Sequence, residues 1–288
     1  MKNWLLAARL KTLAAAIAPV MLGSALAFHD GIFHLFICLM TLLAAVLIQV
    51  GTNFANDVFD FQKGTDREDR LGPLRVTQTG LISPEQMKRA MWFTFVLAIC
   101  VGFYLASIGG WPIVWIGLLS IIAGIAYTGG AYPLGYHGWG DVFVFIFFGL
   151  IAVPGTYYLQ TDTVSSLSIS MGAIIGMLSN AILVVNNLRD VDTDKLSGKR
   201  TLAVRLGKYF SKIQYSLLML LPFILPIYLW WISENEISLL LTVFAIPLSF
   251  HLIKQIFSLT GSDLNLVLSQ TARFLIIFTV LLSTGLVI

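Results

Sequence analysis

Residues 33–60 read FHLFICLMTLLAAVLIQVGTNFANDVFD, an apolar run that ends in a cluster of amides and carboxylates. The run from 33 to 55 is long enough to cross a bilayer, because a helix needs about 20 apolar residues for the hydrocarbon core. The polar residues at its end fall at i, i+3, i+4 and i+7, so they share one face of a helix. They are Asn53, Asn56, Asp57 and Asp60. The segment therefore predicts a transmembrane helix with an acidic face where it leaves the membrane.

Composition extends this interpretation to the whole chain of 288 residues, of which 57% are hydrophobic and 11% charged. Soluble domains carry about 25% charged residues, so this composition excludes a water-soluble domain, and the apolar content also excludes a disordered chain. The two cysteines, Cys38 and Cys100, lie inside apolar stretches and are interpreted as buried small residues rather than a disulfide framework. The chain is predicted to be an integral membrane protein.

Apolar runs of spanning length recur along the chain, and we predict an all-α, multi-pass membrane protein that forms a single transmembrane domain over 1–288. A cleaved signal peptide ending near Ala27 is the less favoured interpretation of the first run, because the later spans insert without it. The nine predicted spans are residues 12–28, 33–55, 90–108, 111–129, 140–160, 167–188, 213–231, 237–256 and 268–287.

The positive charges all fall on one side of this arrangement. With the N-terminus in the cytoplasm, the 18 Lys and Arg residues precede the first helix, lie in two long connections, or flank the last turn. The opposite connections contain none, which fits the positive-inside rule and places the C-terminus outside. The predicted location is the bacterial cytoplasmic (inner) membrane, with connections 56–89 and 189–212 in the cytoplasm. Topology and anionic membrane lipid explain such a basic rim, and no nucleic-acid partner is expected.

A second acidic segment lies at the cytoplasmic end of the predicted sixth helix. Asn186, Asp190 and Asp194 occur at steps of four, again on one helix face. Matching residues of the two acidic segments are 133 or 134 positions apart, so we predict an internal pseudo-repeat. The matched pairs are Asn53 and Asn186, Asp57 and Asp190, Asp60 and Asp194, and Gly64 and Gly198.

Carboxylates gathered on two facing segments repel one another, by roughly 3 kcal/mol per pair at about 6 Å and an effective dielectric of about 20. A cation is therefore expected between them. Hard oxygen ligands without nearby His or Cys point to Mg²⁺, which takes one or two carboxylates together with phosphate oxygens of a substrate. The interleaved Lys and Arg residues suit the remaining phosphate charge. Solvated surface charges with local ion pairs are the less favoured interpretation.

The pairing of Asn56-Asp57-Val-Phe-Asp60 with Asp190-Val-Asp192-Thr-Asp194 resembles the two aspartate-rich motifs of the UbiA superfamily of intramembrane prenyltransferases. This resemblance implies the UbiA fold, with nine helices around a central cavity and both motifs facing the cytoplasm. Further segments resemble the branch of the superfamily that prenylates 1,4-dihydroxy-2-naphthoate. They are 7–12, 56–75, 132–141 and 186–207.

The resemblance implies a Mg²⁺-dependent transferase of menaquinone biosynthesis. It would move a polyprenyl group from polyprenyl diphosphate to 1,4-dihydroxy-2-naphthoate, with loss of CO₂ and diphosphate, giving demethylmenaquinone. Other acceptors of the superfamily, namely 4-hydroxybenzoate, homogentisate and chlorophyllide, stay open, as does the oligomeric state. A membrane transporter is the alternative from a different class, but its ion-binding residues are expected near the bilayer midplane rather than at one rim.

The resemblance also assigns roles to residues in and beside the motifs. Catalysis through the metal falls to Asp57, Asp60, Asp190 and Asp194, with Asn56 and Asp66 as the other expected metal ligands. Diphosphate contacts fall to Lys63, Arg67, Arg75, Arg189, Lys199, Arg9 and Lys11. Naphthoate contacts fall to Tyr132, Tyr136 and His137, and further aromatic cavity walls are expected from Tyr127, Tyr157 and Tyr158.

Three positions depart from the family's patterns. Gly64 stands where the first motif usually has its third acidic residue, which leaves Asp66 as a replacement ligand. Leu10 stands where a proline usually follows the early arginine. Tyr136 stands where the hydroxybenzoate branch has a lysine, and the loss of that cation argues against that branch.

Overall fold

The computed structural model describes residues 2–65, 71–232 and 237–288, and every regular element in that part of the chain is a helix. The all-α prediction is therefore confirmed. The helices are α1 (Lys2–Ala8), α2 (Leu10–His29), α3 (Leu35–Gln62), α4 (Pro84–Ala126), α5 (Gly140–Thr161), α6 (Ser166–Leu196), α7 (Leu202–Ile232), α8 (Ile237–Ser258) and α9 (Gly261–Val287).

The 43 residues of α4 form two membrane crossings rather than one. Gly110 interrupts the helix with φ 64° and ψ −155°, a conformation outside the helical region that glycine tolerates. Both arms return to the same level of α3, since a Cβ on Gly51 would touch Phe95 of the first arm and one on Gly124 of the second arm would touch Thr52. The eight helices of spanning length thus give nine crossings within the described residues, as predicted.

α6 lies inside the bundle, where its buried face packs against α2, α5, α7 and α9. Its crossing with α5 is close because glycines face each other. A Cβ on Gly149 would lie 2.6 Å from the carbonyl oxygen of Gly172, and one on Gly176 would lie 2.8 Å from that of Phe145. Small residues at such crossings let membrane helices pack backbone to backbone. This contact fixes the start of α5, and with it the connection from α4, relative to α6.

A cavity of about 1020 Å³ lies between α2, α3, α4, α5 and α6, as the resemblance implied. Side chains of both acidic motifs line one end, among them Asp60 and Asp194, while apolar side chains such as Ile48 and Phe147 line most of the rest. α3 and α6 continue to Gln62 and Leu196, beyond the predicted span ends, so both acidic motifs lie on regular helix.

Candidate active site

The first acidic motif occupies the last turns of α3, and Gly64 ends that helix. Gly64 has φ 63°, in the left-handed region that a residue with a Cβ rarely adopts. Thr65 N–H donates to the Asp60 carbonyl at 3.1 Å and Gly64 N–H donates to the Phe61 carbonyl at 3.0 Å, which are the two bonds of a Schellman motif. The glycine that departs from the family's acidic pattern therefore terminates the helix.

The second acidic motif ends α6 in the same way. Gly198 has φ 74°, Lys199 N–H donates to the Asp194 carbonyl at 2.9 Å, and Gly198 N–H donates to the Lys195 carbonyl at 3.3 Å. The last aspartate of each motif and the glycine after it thus hold equivalent places at two helix ends. The predicted pseudo-repeat therefore consists of two helices that end in the same way, each with an aspartate four residues before the terminating glycine.

Asp60 joins three parts of the chain. Its Oδ2 lies 3.0 Å from Arg75 Nη2, while its Oδ1 accepts a hydrogen bond of 2.5 Å from the Tyr136 hydroxyl and lies 3.5 Å from Lys199 Nζ. Asp60 is only 2% exposed, so these groups rather than water balance its charge.

The two acidic motifs meet at Lys199. Its Nζ lies 3.5 Å from Asp60 Oδ1 and 3.9 Å from Asp194 Oδ1, and it lies 4.7 Å from the centre of the Tyr136 ring. One ammonium is therefore shared by a carboxylate of each motif. Segments that are 134 residues apart in sequence face each other across the acidic end of the cavity.

Asp57 is oriented differently from Asp60. It is 1% exposed, its Oδ1 accepts a hydrogen bond of 3.0 Å from the Thr77 N–H, and its Oδ2 lies 3.9 Å from Arg9 Nη2. It is not among the described side chains that line the cavity. In this arrangement Asp57 holds the segment that carries Arg75, and its assignment as a metal ligand stays a prediction.

Arg189 and Asp190 form a buried two-point ion pair, with Nε 2.8 Å from Oδ1 and Nη2 2.6 Å from Oδ2. The same guanidinium donates to Asn186 Oδ1 and to Asn265 Oδ1, each at 2.8 Å. Arg189 therefore orients Asp190 and ties α6 to α9. In this structure its side chain is held by protein acceptors. Its contact with diphosphate stays a prediction.

Asn56 and Lys63 both contact the connection that follows α4. Asn56 lines the cavity and accepts a hydrogen bond of 2.9 Å from the Thr128 hydroxyl. Lys63 Nζ donates to the backbone carbonyls of Thr128 at 2.7 Å and Gly130 at 2.9 Å. Loss of hydration lowers the pKa of Lys63, an effect that Asp60 opposes and that Lys199 strengthens. In this arrangement Lys63 fastens α3 to the next connection.

Only one of the three predicted naphthoate contacts lines the cavity. Tyr136 does so, whereas Tyr132 and His137 stack on each other away from it with ring centres 3.6 Å apart. Tyr132 is 58% exposed. The predicted roles of Tyr132 and His137 in acceptor binding stay predictions, and Tyr136 is the member of the set placed to act inside the site.

Tyr127 is the one of the three further tyrosines that lines the cavity. Two glycines make room for it, since a Cβ on Gly135 would lie 2.8 Å from its ring and one on Gly140 would lie 2.8 Å from its hydroxyl. A phenol is neutral at physiological pH, so the Tyr127 hydroxyl can act as a hydrogen-bond donor.

The other two tyrosines lie at the opposite end of the bundle. The Tyr157 hydroxyl donates to Asp30 Oδ2, and the Tyr158 hydroxyl donates to the Gly109 carbonyl at 3.1 Å. Asp30 follows α2 and Gly109 lies in the turn of α4, so these bonds join helix ends far from the acidic motifs.

Arg9 and Lys11 line the acidic end of the cavity together with Arg75. Asp66 and Arg67 lie outside the described residues. Within the described ranges, no three Asp, Glu, His or Cys side chains converge closely enough to hold an ion as they stand. The carboxylate oxygens instead pair with arginine, lysine and hydroxyl groups.

Two threonines that support the site were missed in the sequence. The Thr65 hydroxyl lies 2.9 Å from the Tyr136 hydroxyl, and Thr128 donates to Asn56. A signal existed for Thr65, because the residue after a helix-ending glycine folds back over the last turn. For Thr128 there was none, since its contact joins the connection after α4 to Asn56 of α3, 72 residues earlier in the chain.

A model of the UbiA prenyltransferase family matches residues 16–285. The chain belongs to the UbiA prenyltransferase family. A 1,4-dihydroxy-2-naphthoate octaprenyltransferase of Haemophilus influenzae is 38% identical to this UbiA-family chain, and the alignment covers 100% of the chain and 96% of that protein. A protein of the same name from Mycobacterium leprae is 33% identical, with 96% and 94% covered.

Solved structures of UbiA homologues share this fold. One from Archaeoglobus fulgidus, bound to GPP and Mg²⁺, gives a TM-score of 0.68 at 17% identity and covers 98% of this chain and 99% of that one. One from Aeropyrum pernix K1 gives 0.69 at 14% identity, with 92% and 96% covered. At these identities the likeness establishes the fold alone, and it confirms the predicted UbiA architecture.

Proposed function

We propose that this UbiA-family membrane enzyme transfers a polyprenyl group from polyprenyl diphosphate to 1,4-dihydroxy-2-naphthoate, releasing diphosphate and CO₂ and giving demethylmenaquinone. The observation that carries the proposal is the shared position of Asp60 and Asp194 around one cation at the end of an otherwise apolar cavity. The naphthoate as acceptor is supported by the relatives at 33–41% identity that carry this name.

The acidic end suits a divalent cation bound together with a diphosphate. Asn56, Asp60, Asp190 and Asp194 offer hard oxygen atoms on the cavity wall, which is the donor set that Mg²⁺ prefers. Lys199 already places a positive charge between the two motifs, which supports a cation-binding role for this end of the cavity. When bound, Mg²⁺ would neutralise charge that develops on the departing diphosphate.

The cations now paired with Asp60 are placed to bind the diphosphate. With Mg²⁺ held by the Asp60 and Asp194 oxygens, Lys199 and Arg75 would give up those partners and would remain at the same end of the cavity. Arg9 and Lys11 also line the cavity. Hydrogen bonds from these groups would favour the state in which the allylic C–O bond breaks and its electron pair leaves with the diphosphate oxygen.

The rest of the cavity suits an allylic cation and an aromatic ring. Its apolar walls keep out water, which would otherwise capture the cation. Tyr127, a neutral phenol at the border between the acidic and apolar parts, presents both a ring face and a hydrogen-bond donor. The ring carbon of the acceptor forms the new C–C bond there, and the electron pair of the lost carboxylate returns to the ring as CO₂ leaves.

We also propose that the acidic end faces the cytoplasm, with the N-terminus inside and the C-terminus outside. The distribution of Lys and Arg supports this orientation. The acceptor and the diphosphate, both anionic, would then reach the site from the cytoplasmic side.

The test uses the purified full-length chain in lipid nanodiscs with MgCl₂ and prenyl diphosphates of several lengths. Three acceptors are offered: 1,4-dihydroxy-2-naphthoate, 4-hydroxybenzoate and homogentisate. We expect diphosphate release with the naphthoate and a product whose mass shows one prenyl group gained and CO₂ lost. Turnover with 4-hydroxybenzoate but none with the naphthoate would contradict the proposal.

A further inference from the structure

The connection between α4 and α5 meets the connection between α6 and α7 at backbone atoms. Tyr136 lies in a short 3₁₀ helix of the first connection, Leu134–His137. Arg200, in the second connection, donates its N–H to the Tyr136 carbonyl at 2.6 Å. The last carbonyls of a helix have no partner inside it, so a second segment can supply the donors. The second connection therefore docks on the end of this 3₁₀ helix.

Arg205 bonds both connections with one side chain. Thr201 caps α7, accepting a hydrogen bond of 3.3 Å from the Val204 N–H, and this places Arg205 one turn into that helix. Arg205 Nη2 donates to the His137 carbonyl at 2.8 Å, and its Nε donates to the Arg200 carbonyl at 3.0 Å. None of the ion pairs between described residues involves Arg205. Among the described residues, its partners are therefore two backbone carbonyls, one from each connection.

Gly138 allows this close approach. It ends the 3₁₀ helix with φ 78°, in the left-handed region that glycine tolerates. A Cβ at this position would lie 3.1 Å from the Arg200 carbonyl oxygen and 3.4 Å from Arg205 Nε. A side chain on residue 138 would therefore press on both atoms of the Arg205–Arg200 bond.

Each residue whose carbonyl Arg205 bonds comes directly after a residue of the acidic site. His137 follows Tyr136, and Arg200 follows Lys199. Lys199 Nζ lies 4.7 Å from the centre of the Tyr136 ring and 3.5 Å from Asp60 Oδ1, the oxygen that also accepts from the Tyr136 hydroxyl. A misplacement of about 1 Å in an active site can cost about 100-fold in rate. The distance between the two connections therefore matters for the site.

We propose that Arg205 is a positioning residue of the active site, and that its guanidinium clamps the two connections so that Tyr136 and Lys199 keep their places around Asp60. The inference rests on the proposed function, in which Lys199 binds the diphosphate. Arg205 is exposed and does not line the cavity, so it acts through these residues rather than by contact with a substrate. Because the Arg205 clamp supports the leaving group, its loss should affect every acceptor alike.

The test compares Arg205→Gln and Arg205→Lys with Arg200→Gln, the matched control. Arg200→Gln removes one positive charge from the same connection but keeps the backbone N–H and carbonyl that make the contacts. Arg205→Lys keeps the charge but lacks the planar fork of donors that reaches both carbonyls. Three quantities are measured in nanodiscs with MgCl₂: kcat for naphthoate prenylation, the affinity for inorganic diphosphate, and the melting temperature.

We expect Arg205→Gln and Arg205→Lys each to lower kcat and to weaken diphosphate binding by about five- to tenfold, because Lys199 and Tyr136 shift apart. Melting temperatures should stay close to wild type, since the two bonds lie at the surface. Arg200→Gln should match wild type in all three measurements. Wild-type kcat and diphosphate affinity in Arg205→Gln, or an equal loss in Arg200→Gln, would overturn the Arg205 clamp.

A double variant separates positioning from general damage to the fold. In a Lys199→Gln background, Arg205→Gln should weaken diphosphate binding by less than about twofold further, because the ammonium that it positions is already gone. Losses that multiply in the double variant would contradict the clamp.

Gly138→Ala disturbs the same contact from the other connection. Gly31→Ala is its control, because Gly31 has φ 77° but no atom within 4 Å of an added Cβ. Only Gly138→Ala should weaken diphosphate binding, and equal affinities in the two alanine variants would count against the clamp. A wild-type enzyme that binds diphosphate but does not prenylate the naphthoate would instead refute the proposed function, whereas the diphosphate affinities, which need no acceptor, still decide on the clamp.

Discussion

The Tyr136 hydroxyl donates a 2.5 Å hydrogen bond to Asp60 Oδ1. This bond joins the connection between α4 and α5 to the first acidic motif, while the same ring lies beneath the ammonium groups of Lys63 and Lys199. Tyr136 is therefore coupled to the charges that would hold the leaving group, whereas the Tyr132 and His137 rings stack on each other outside the cavity.

This coupling predicts how Tyr136→Phe will behave. Loss of the hydroxyl removes the shortest hydrogen bond to Asp60 Oδ1, so kcat should fall by about tenfold for every acceptor alike. The ratio of kcat/KM for the naphthoate and 4-hydroxybenzoate should stay unchanged. Tyr132→Phe serves as the control, because its ring lies outside the cavity, and it should leave all rates near wild type. An altered acceptor ratio in Tyr136→Phe would show that Tyr136 contacts the acceptor.

Removal of either shared carboxylate should abolish most turnover. Asp60→Asn and Asp194→Asn each take away one oxygen charge needed for the metal and diphosphate, and we expect kcat to fall by about 10²–10³-fold. Asp192→Asn is the matched control, since Asp192 is 76% exposed and pairs with Lys208 at the surface. Steady-state diphosphate release measures all three. A rate near wild type for Asp194→Asn would rule out a role for the second motif.

Two cations beside the second motif, Arg189 and Lys199, should differ in what they support. Arg189→Gln leaves the buried Asp190 without its two-point partner, which typically costs about 3–5 kcal/mol, so thermal stability should fall sharply. Lys199→Gln removes an ammonium group whose side chain is 15% exposed, and it should lower kcat with little change in melting temperature. Thermal unfolding of both variants in nanodiscs makes the comparison. A stable Arg189→Gln enzyme would show that Arg189 does not clamp Asp190.

The helix-ending glycines give a prediction with an internal control. Gly198→Ala forces a Cβ into φ 74° and should cost about 1–2 kcal/mol of stability while displacing Lys199 from Asp60. Gly31→Ala imposes a similar strain at φ 77° in the connection between α2 and α3. Both should melt at lower temperature, but only Gly198→Ala should lose activity at temperatures where it is folded. Equal activities of the two folded variants would show that Gly198 does not position Lys199 in the site.

The spans and the two helix exits could be predicted because bilayer thickness and helical periodicity act locally. The runs ending near 55 and 188, the equivalent places of Gly64 and Gly198, and the break between 108 and 111 all follow from such local rules. The structure adds the points at which α3 and α6 end, Gln62 and Leu196, since polar turns beyond the membrane have no apolar period that marks an end.

The orientation of individual charged side chains depended on packing between distant segments. The acidic periodicity placed Asp57 and Asp60 on one helix face, but it did not indicate which of them lines the cavity. The hydrogen bond from the Thr77 N–H, 20 residues away, holds the Asp57 carboxylate away from the cavity. Arg189 is likewise held by Asn265, 76 residues away. Contacts of this range leave no pattern in a single sequence.

The central claim is that the two acidic motifs together hold one metal and diphosphate, and metal binding without turnover tests it most directly. Electron paramagnetic resonance of Mn²⁺ can be recorded with inorganic diphosphate for wild type, Asp60→Asn, Asp194→Asn and Asp192→Asn. We predict diphosphate-dependent Mn²⁺ binding in wild type and Asp192→Asn, and its loss in both other variants. Binding that persists undiminished in either Asp60→Asn or Asp194→Asn would contradict a site shared by the two motifs.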